Sequence, residues 1–178
     1  MERQTRQRQA ILNALRVSGR SLSPAEFVQP PEGKWSAGQQ IEHICRSVSP
    51  VILAFRLPVF VLRLAFGKAN RPSRSYEEVI TKYKAKLSAG GRASGPYVPP
   101  PVAAGEQQQL RKKLNALATK LAALTEKHSE AQLDTYLLPH PLLGKMTLRE
   151  MLYFTSYHVV HHHEAVLRGL GRDQAASA

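Results

Sequence analysis

Thr147 to Gly169 reads TLREMLYFTSYHVVHHHEAVLRG, and its periodicity decides the fold. Thr147 and Glu150 stand three apart at the head of an apolar run. That is a capping box: the hydroxyl accepts a free backbone N–H, and the carboxylate returns a bond to the cap's own N–H. Met146 and Met151 flank it as a hydrophobic staple. At about 100° per residue, Leu148, Met151, Leu152, Thr155, Val159, Val166 and Leu170 share one stripe. The stretch therefore predicts an amphipathic helix over residues 148–169, ended by Gly169 and Gly171.

Four of the chain's seven histidines fall within this helix, at positions 158, 161, 162 and 163. His158 and His162 lie inside the apolar stripe. His161 lies off it on one side and His163 near the opposite edge. Positions i and i+4 put two imidazoles one above the other, as a shared metal requires. A pair of packed core or interface histidines is the simpler alternative. Burying two unpaired polar rings is costly, however, and a metal satisfies both. A zincin site is excluded, because His163-Glu164 would need a histidine at the position of Leu167.

Three more capping boxes stand upstream: Ser23-Pro24-Ala25-Glu26, with Leu22 and Phe27 as its staple, Ser36 to Gln39 after Trp35, and Ser75 to Glu78. Residues 4–17 predict a weakly amphipathic first helix carrying Ile11, Leu12 and Leu15. Residues 37–66 predict a long apolar helix, bent or broken near Pro50 and Pro58. Residues 76–88 place Tyr76, Val79, Ile80, Tyr83 and Leu87 on one face. Residues 91–104, rich in Gly, Pro and Ala, predict a long loop. Residues 106–128 space Leu110, Leu114, Leu117, Leu121 and Leu124 by four and three, which is a bundle seam. Residues 129–146 wander past Pro139 and Pro141. No strand pattern competes. The expectation is an all-α, up-down four-helix bundle with an extra short helix, one domain over residues 1–178.

Composition sets the outer bounds. The 178 residues are 43% hydrophobic and only 7% aromatic, which suits aliphatic helices packed on one core. The single cysteine, Cys45, excludes an internal disulfide and suits a reducing, cytoplasmic compartment. Met1 to Gln9 is polar, so no signal peptide is expected. Val51 to Phe66 is apolar but holds Arg56, Arg63 and Pro58, and is too short to span a bilayer, which takes roughly 20 residues. The net charge of +12 points either to an anionic surface or nucleic acid, or to an acidic small molecule. The basic residues are dispersed and no aromatics interleave with them, which favours a solvated surface over a nucleic-acid footprint.

Two histidines make an incomplete site. His43, His128 and His140 are the candidates for a third ligand. His43 sits at the margin of a stripe defined by Ala37, Ile41, Ile44, Val48 and Phe55, where it could face a cleft or solvent. His140 reads as a loop residue between prolines, and His128 as exposed. Glu42 and Tyr157 neighbour these histidines but read as ordinary solvated or packing residues. Cys45 reads as a small core residue.

Several motifs now fall into an order. Trp35-Ser36 followed by Ile41-Glu42-His43-Ile44 resembles the start of the second helix in the DinB/YfiT-like family. His140-Pro141, Gly144 and Thr147-Leu148 resemble the loop before that family's last helix. His158-Val-Val-His-His162 with Glu164-Ala-Val166 resembles its closing helix. Together they span residues 22 to 170. The resemblance implies a DinB-like bundle, often a homodimer, with a divalent metal ion held by His43, His158 and His162. Three imidazoles suit Zn, Ni, Fe or Cu. It also implies a metal-dependent hydrolase or a thiol-dependent transferase acting on a small-molecule substrate, without membrane or nucleic acid. A non-catalytic ligand-binding or stress-response module is the alternative, and a basic nucleic-acid binder a third. The N-terminal "TRQRQAILNAL…LSPAEF" is similar to the first helix of Fur-type repressors, but no wing or recognition helix follows it.

Overall fold

The chain is seen in a computed structural model that describes residues 22–172. The helix expected over residues 4–17 lies outside the described residues. Helix α1 is Pro24–Val28, α2 Ala37–Arg56, α3 Val59–Phe66 and α4 Tyr76–Ser88. Helix α5 is Gln107–Thr125, α6 Glu130–Thr135 and α7 Leu148–Gly169. Strands β1 (Leu137–His140) and β2 (Gly144–Thr147) form a hairpin between α6 and α7.

All four expected capping boxes form, each with the hydroxyl accepting from the third residue's N–H and that residue's side chain accepting from the cap N–H. A fifth, Ser129 with Gln132, starts α6. The staples close as expected: Phe27, Met146 and Met151 are buried, and Leu22 packs against the core.

The two prolines of the long apolar segment act differently. Pro50 is carried inside α2. Pro58 ends it: the residue before a proline is pushed out of the helical region, and Leu57 sits at φ −71°, ψ 142°. The chain restarts as α3 across a bend of 114°. Among the described residues, no single helix is long and apolar enough to cross a bilayer.

Helix α2 runs through the middle of the bundle. It packs most extensively on α5 and also on α7, while α4 packs on the other flank of α7. The neighbours in space are thus not the neighbours in sequence. The core they share includes Ile44, Ile52, Val79, Leu114, Leu121 and Leu152. Of the predicted α5 seam, Leu110, Leu114 and Leu121 are buried, and Leu117 and Leu124 are partly so.

The hairpin corrects the expectation that no strand competes. Its strands are four residues each, antiparallel, with Leu138 opposite Met146 and His140 opposite Gly144. Leu138 is the one buried residue of β1, and Met146 and Thr147, adjacent in β2, are both buried, so no period-two pattern results. Pro139 masks the strand further, since proline cannot donate to a ladder. Gly144, at φ +74°, supplies the left-handed conformation that the turn requires.

Two ion-pair clusters tie the first turn of α7 to its surroundings. Arg149, almost fully buried, donates to Asp134 at 2.6 and 2.9 Å and to Glu130 at 2.6 Å, both in α6. Glu150, fully buried, accepts from Arg71 at 2.5 and 3.0 Å, from the Arg74 N–H at 2.7 Å, and from the Thr147 N–H at 3.1 Å. These bonds anchor the helix that carries most of the histidines.

Candidate metal centre

Helices α2 and α7 face each other where His43 comes from one and His158 and His162 from the other. All three side chains are buried. The Nε2 atoms of His43 and His158 are 3.2 Å apart, and those of His158 and His162 are 2.9 Å apart. One nitrogen from each of the three lies within 4.8 Å of the other two, a group that could hold a metal ion. A zinc with bonds of about 2.0–2.1 Å in tetrahedral array separates its ligands by about 3.3 Å, close to these spacings.

The outer edges of two rings are pinned. His43 Nδ1 donates to the Tyr97 carbonyl at 2.7 Å, and His162 Nδ1 donates to Gln40 Oε1. With the proton on Nδ1, each Nε2 keeps its lone pair and turns it toward the shared point. Ligating histidines characteristically use their second nitrogen in this way. Burial pushes His43 below the ordinary imidazole value, opposed in part by the Tyr97 bond. Burial, reinforced by the neighbouring imidazoles, pushes His158 and His162 well below it. The three rings are therefore neutral at neutral pH, the form that binds metal. Trp35 closes one side, its ring centroid 5.0 Å from that of His43 and 6.3 Å from that of His162.

The cluster lines a cavity of about 330 Å³. Its walls are mostly apolar, with Val51, Phe66, Leu87, Leu138, Met151 and Phe154 among them. Among the described residues, no Asp or Glu lines it. His140 and His161 do, as does Arg92.

The structure sorts the candidates. His43, on the margin of its stripe, faces the cleft and not solvent. His128 is not exposed as expected: it is buried at the end of α5, with Nδ1 3.1 Å from the Leu124 carbonyl and its ring edge-on to Phe55. It is not in the three-histidine group. His140 is more than a loop residue. It ends β1 and packs edge-on against Phe154 at 4.2 Å. Glu42 pairs with Arg46 at 2.8 Å and Lys113 at 3.1 Å, away from the cluster. Cys45 is fully buried, and burial pushes its thiol up to about 12. Gln40 and Tyr97 were not singled out from the sequence. Gln40 stands three residues before His43, on the same helix face, which is a usable signal. Tyr97 contributes only its backbone carbonyl, for which no side-chain pattern exists.

A helical bundle with three converging imidazoles lining an apolar cavity defines a candidate metalloprotein. Comparison with known families narrows this: the DinB superfamily model matches residues 4–166, and the chain belongs to that superfamily. A solved structure described as "YfiT from Bacillus subtilis is a probable metal-dependent hydrolase with an unusual four-helix bundle topology" is similar over 96% of this chain and 89% of that one. Its TM-score is 0.57 and its identity 18%, a likeness of fold. No curated protein matches in sequence.

Proposed function

We propose that the chain is a metal-dependent enzyme in which His43, His158 and His162 hold one divalent ion. The single observation behind this reading is the convergence of three neutral Nε2 atoms, with two of the rings locked by bonds on their far side. Nitrogens this close need a cation or a shared proton between them, and His43 and His162, whose protons are held at Nδ1, turn bare lone pairs toward His158.

The ion supplies Lewis acidity toward a bound oxygen or sulfur. The chain's residues do the rest. Gln40 and Tyr97 orient the ligand rings, Trp35 shields them, and the apolar walls admit a small, largely apolar molecule and exclude bulk water. Hydrolysis is the first reading, in line with the probable metal-dependent hydrolase whose fold is similar. Thiol-dependent group transfer is the second, and one observation favours it: among the described residues no carboxylate lines the cavity to serve as a general base, and a thiolate nucleophile needs none.

Elemental analysis of untagged protein tests the core of this. Wild type is expected to carry about one divalent ion per chain after reconstitution, and His158→Ala and His162→Ala to lose it. Wild type that takes up no metal would overturn the reading.

A further inference from the structure

The hairpin turn holds one histidine in a single tautomer. The backbone N–H groups of Leu142 and Leu143 both donate to His140 Nδ1, at 3.2 and 3.1 Å. A nitrogen that accepts two N–H bonds carries no proton of its own. A ring with a bare Nδ1 is the neutral tautomer. Its single proton must then sit on Nε2. No partner for that N–H occurs among the described residues, yet the ring lines the cavity beside His158 and Phe154.

Resting on the metal reading above, we propose that His140 Nε2–H is a fixed hydrogen-bond donor to an acceptor oxygen on the molecule bound in the cavity. The rest of the lining agrees with this ligand chemistry. Arg92 adds a donor, and among the described residues no carboxylate lines the cavity. The cavity thus selects an apolar body carrying a carbonyl-type or anionic oxygen, and disfavours an amine cation. The sequence isolates His140 for this role because the turn consumes one ring nitrogen and leaves the other.

Two substitutions separate the turn from the donor. In His140→Asn, the amide oxygen takes the place of Nδ1 and keeps the turn, as in an Asx turn, but nothing replaces the Nε2–H. In His140→Gln, the amide nitrogen reaches the Nε2 position and the turn acceptor is lost.

The experiment uses zinc-loaded full-length protein and benzohydroxamate as probe, with affinity read by calorimetry. His140→Asn is expected to keep the wild-type melting temperature and bind the probe about tenfold more weakly. His140→Gln is expected to melt lower and recover most of the affinity. Nitrogen-15 NMR of the wild type is expected to show a bare Nδ1 and a protonated Nε2. Equal probe affinity in wild type and His140→Asn would overturn the proposal, as would a protonated Nδ1. Zinc uptake is measured on the same samples: wild type that takes up none overturns the metal reading, a result separable from both of these.

Discussion

Gln40→Leu removes the acceptor that holds the His162 ring and tests why the site is built as it is. Gln40 and His162 are both buried, so the Oε1 that accepts the His162 Nδ1–H has no water to replace it. A buried donor left unsatisfied costs about 1–3 kcal/mol. The ring regains freedom to rotate and to move its proton to Nε2, where it blocks coordination. Losing such an outer hydrogen bond typically weakens metal affinity about 10–100-fold, or about 1.4–2.8 kcal/mol, the same range reached from the opposite direction. Leucine matches the volume, and the cap at Ser36 with Gln39 is untouched, so α2 still forms. Zinc competition against a chromogenic chelator reads the affinity, and urea denaturation of the same samples confirms the fold. Gln40→Glu keeps an acceptor and makes the bond charge-assisted, so it is expected to bind zinc at least as tightly as wild type. If Gln40→Leu folds and binds zinc with wild-type affinity, Gln40 does not orient the ligand and the reasoning fails.

Glu150→Gln is expected to cost about 2–4 kcal/mol in urea denaturation, because it removes a buried charge that faces Arg71 and two backbone N–H groups. Burial raises the Glu150 carboxyl, but its hydrogen bonds from Arg71 and the Arg74 and Thr147 N–H groups outweigh this and leave it below the ordinary 4.5. Its contribution is therefore complete above about pH 4.5 and lost as pH falls through the lowered folded value. The variant should show a flatter acid limb than wild type; parallel limbs would refute this. Gly38→Ala gains about 1 kcal/mol of helix propensity at most, but its Cβ would stand 2.9 Å from the fully buried Phe27 ring and 3.2 Å from the Phe27 carbonyl. Overpacking of about 1–3 kcal/mol should prevail, lowering the melting temperature; a rise would refute the close packing of α1 on α2. Cys45, buried and with its thiol raised to about 12, is expected to resist a disulfide reagent in native protein at neutral pH and to react once urea unfolds it. Rapid native labelling would show that its pocket opens.

Much of this protein is legible before it folds. Each capping box depends on residues three apart, and the apolar stripe of α7 on residues three and four apart. Those are local relations, and local relations survive into the structure unchanged. His158 and His162 follow from the same arithmetic, because one helix sets their spacing. His43 was different. Its stripe left it between cleft and solvent, and the family resemblance chose it. Helix α2 had to be packed against α7 before its imidazole came within 3.2 Å of His158.

The misreadings are likewise about packing. The β-hairpin is too short to print a period of two on the chain, and it forms because α6 and α7 hold its ends. His128 is polar and follows a charged turn, yet it is buried against Phe55 from another helix. So the sequence alone determined the longer helices of the described residues with their capped starts, and the pairing of His158 with His162, since each depends on neighbours within a turn or two; the short helix α6 went unread. The tertiary structure decided the third imidazole and the Gln40 and Tyr97 bonds that aim the rings. Those depend on groups up to 122 residues apart, whose meeting is fixed only by how the helices share one core.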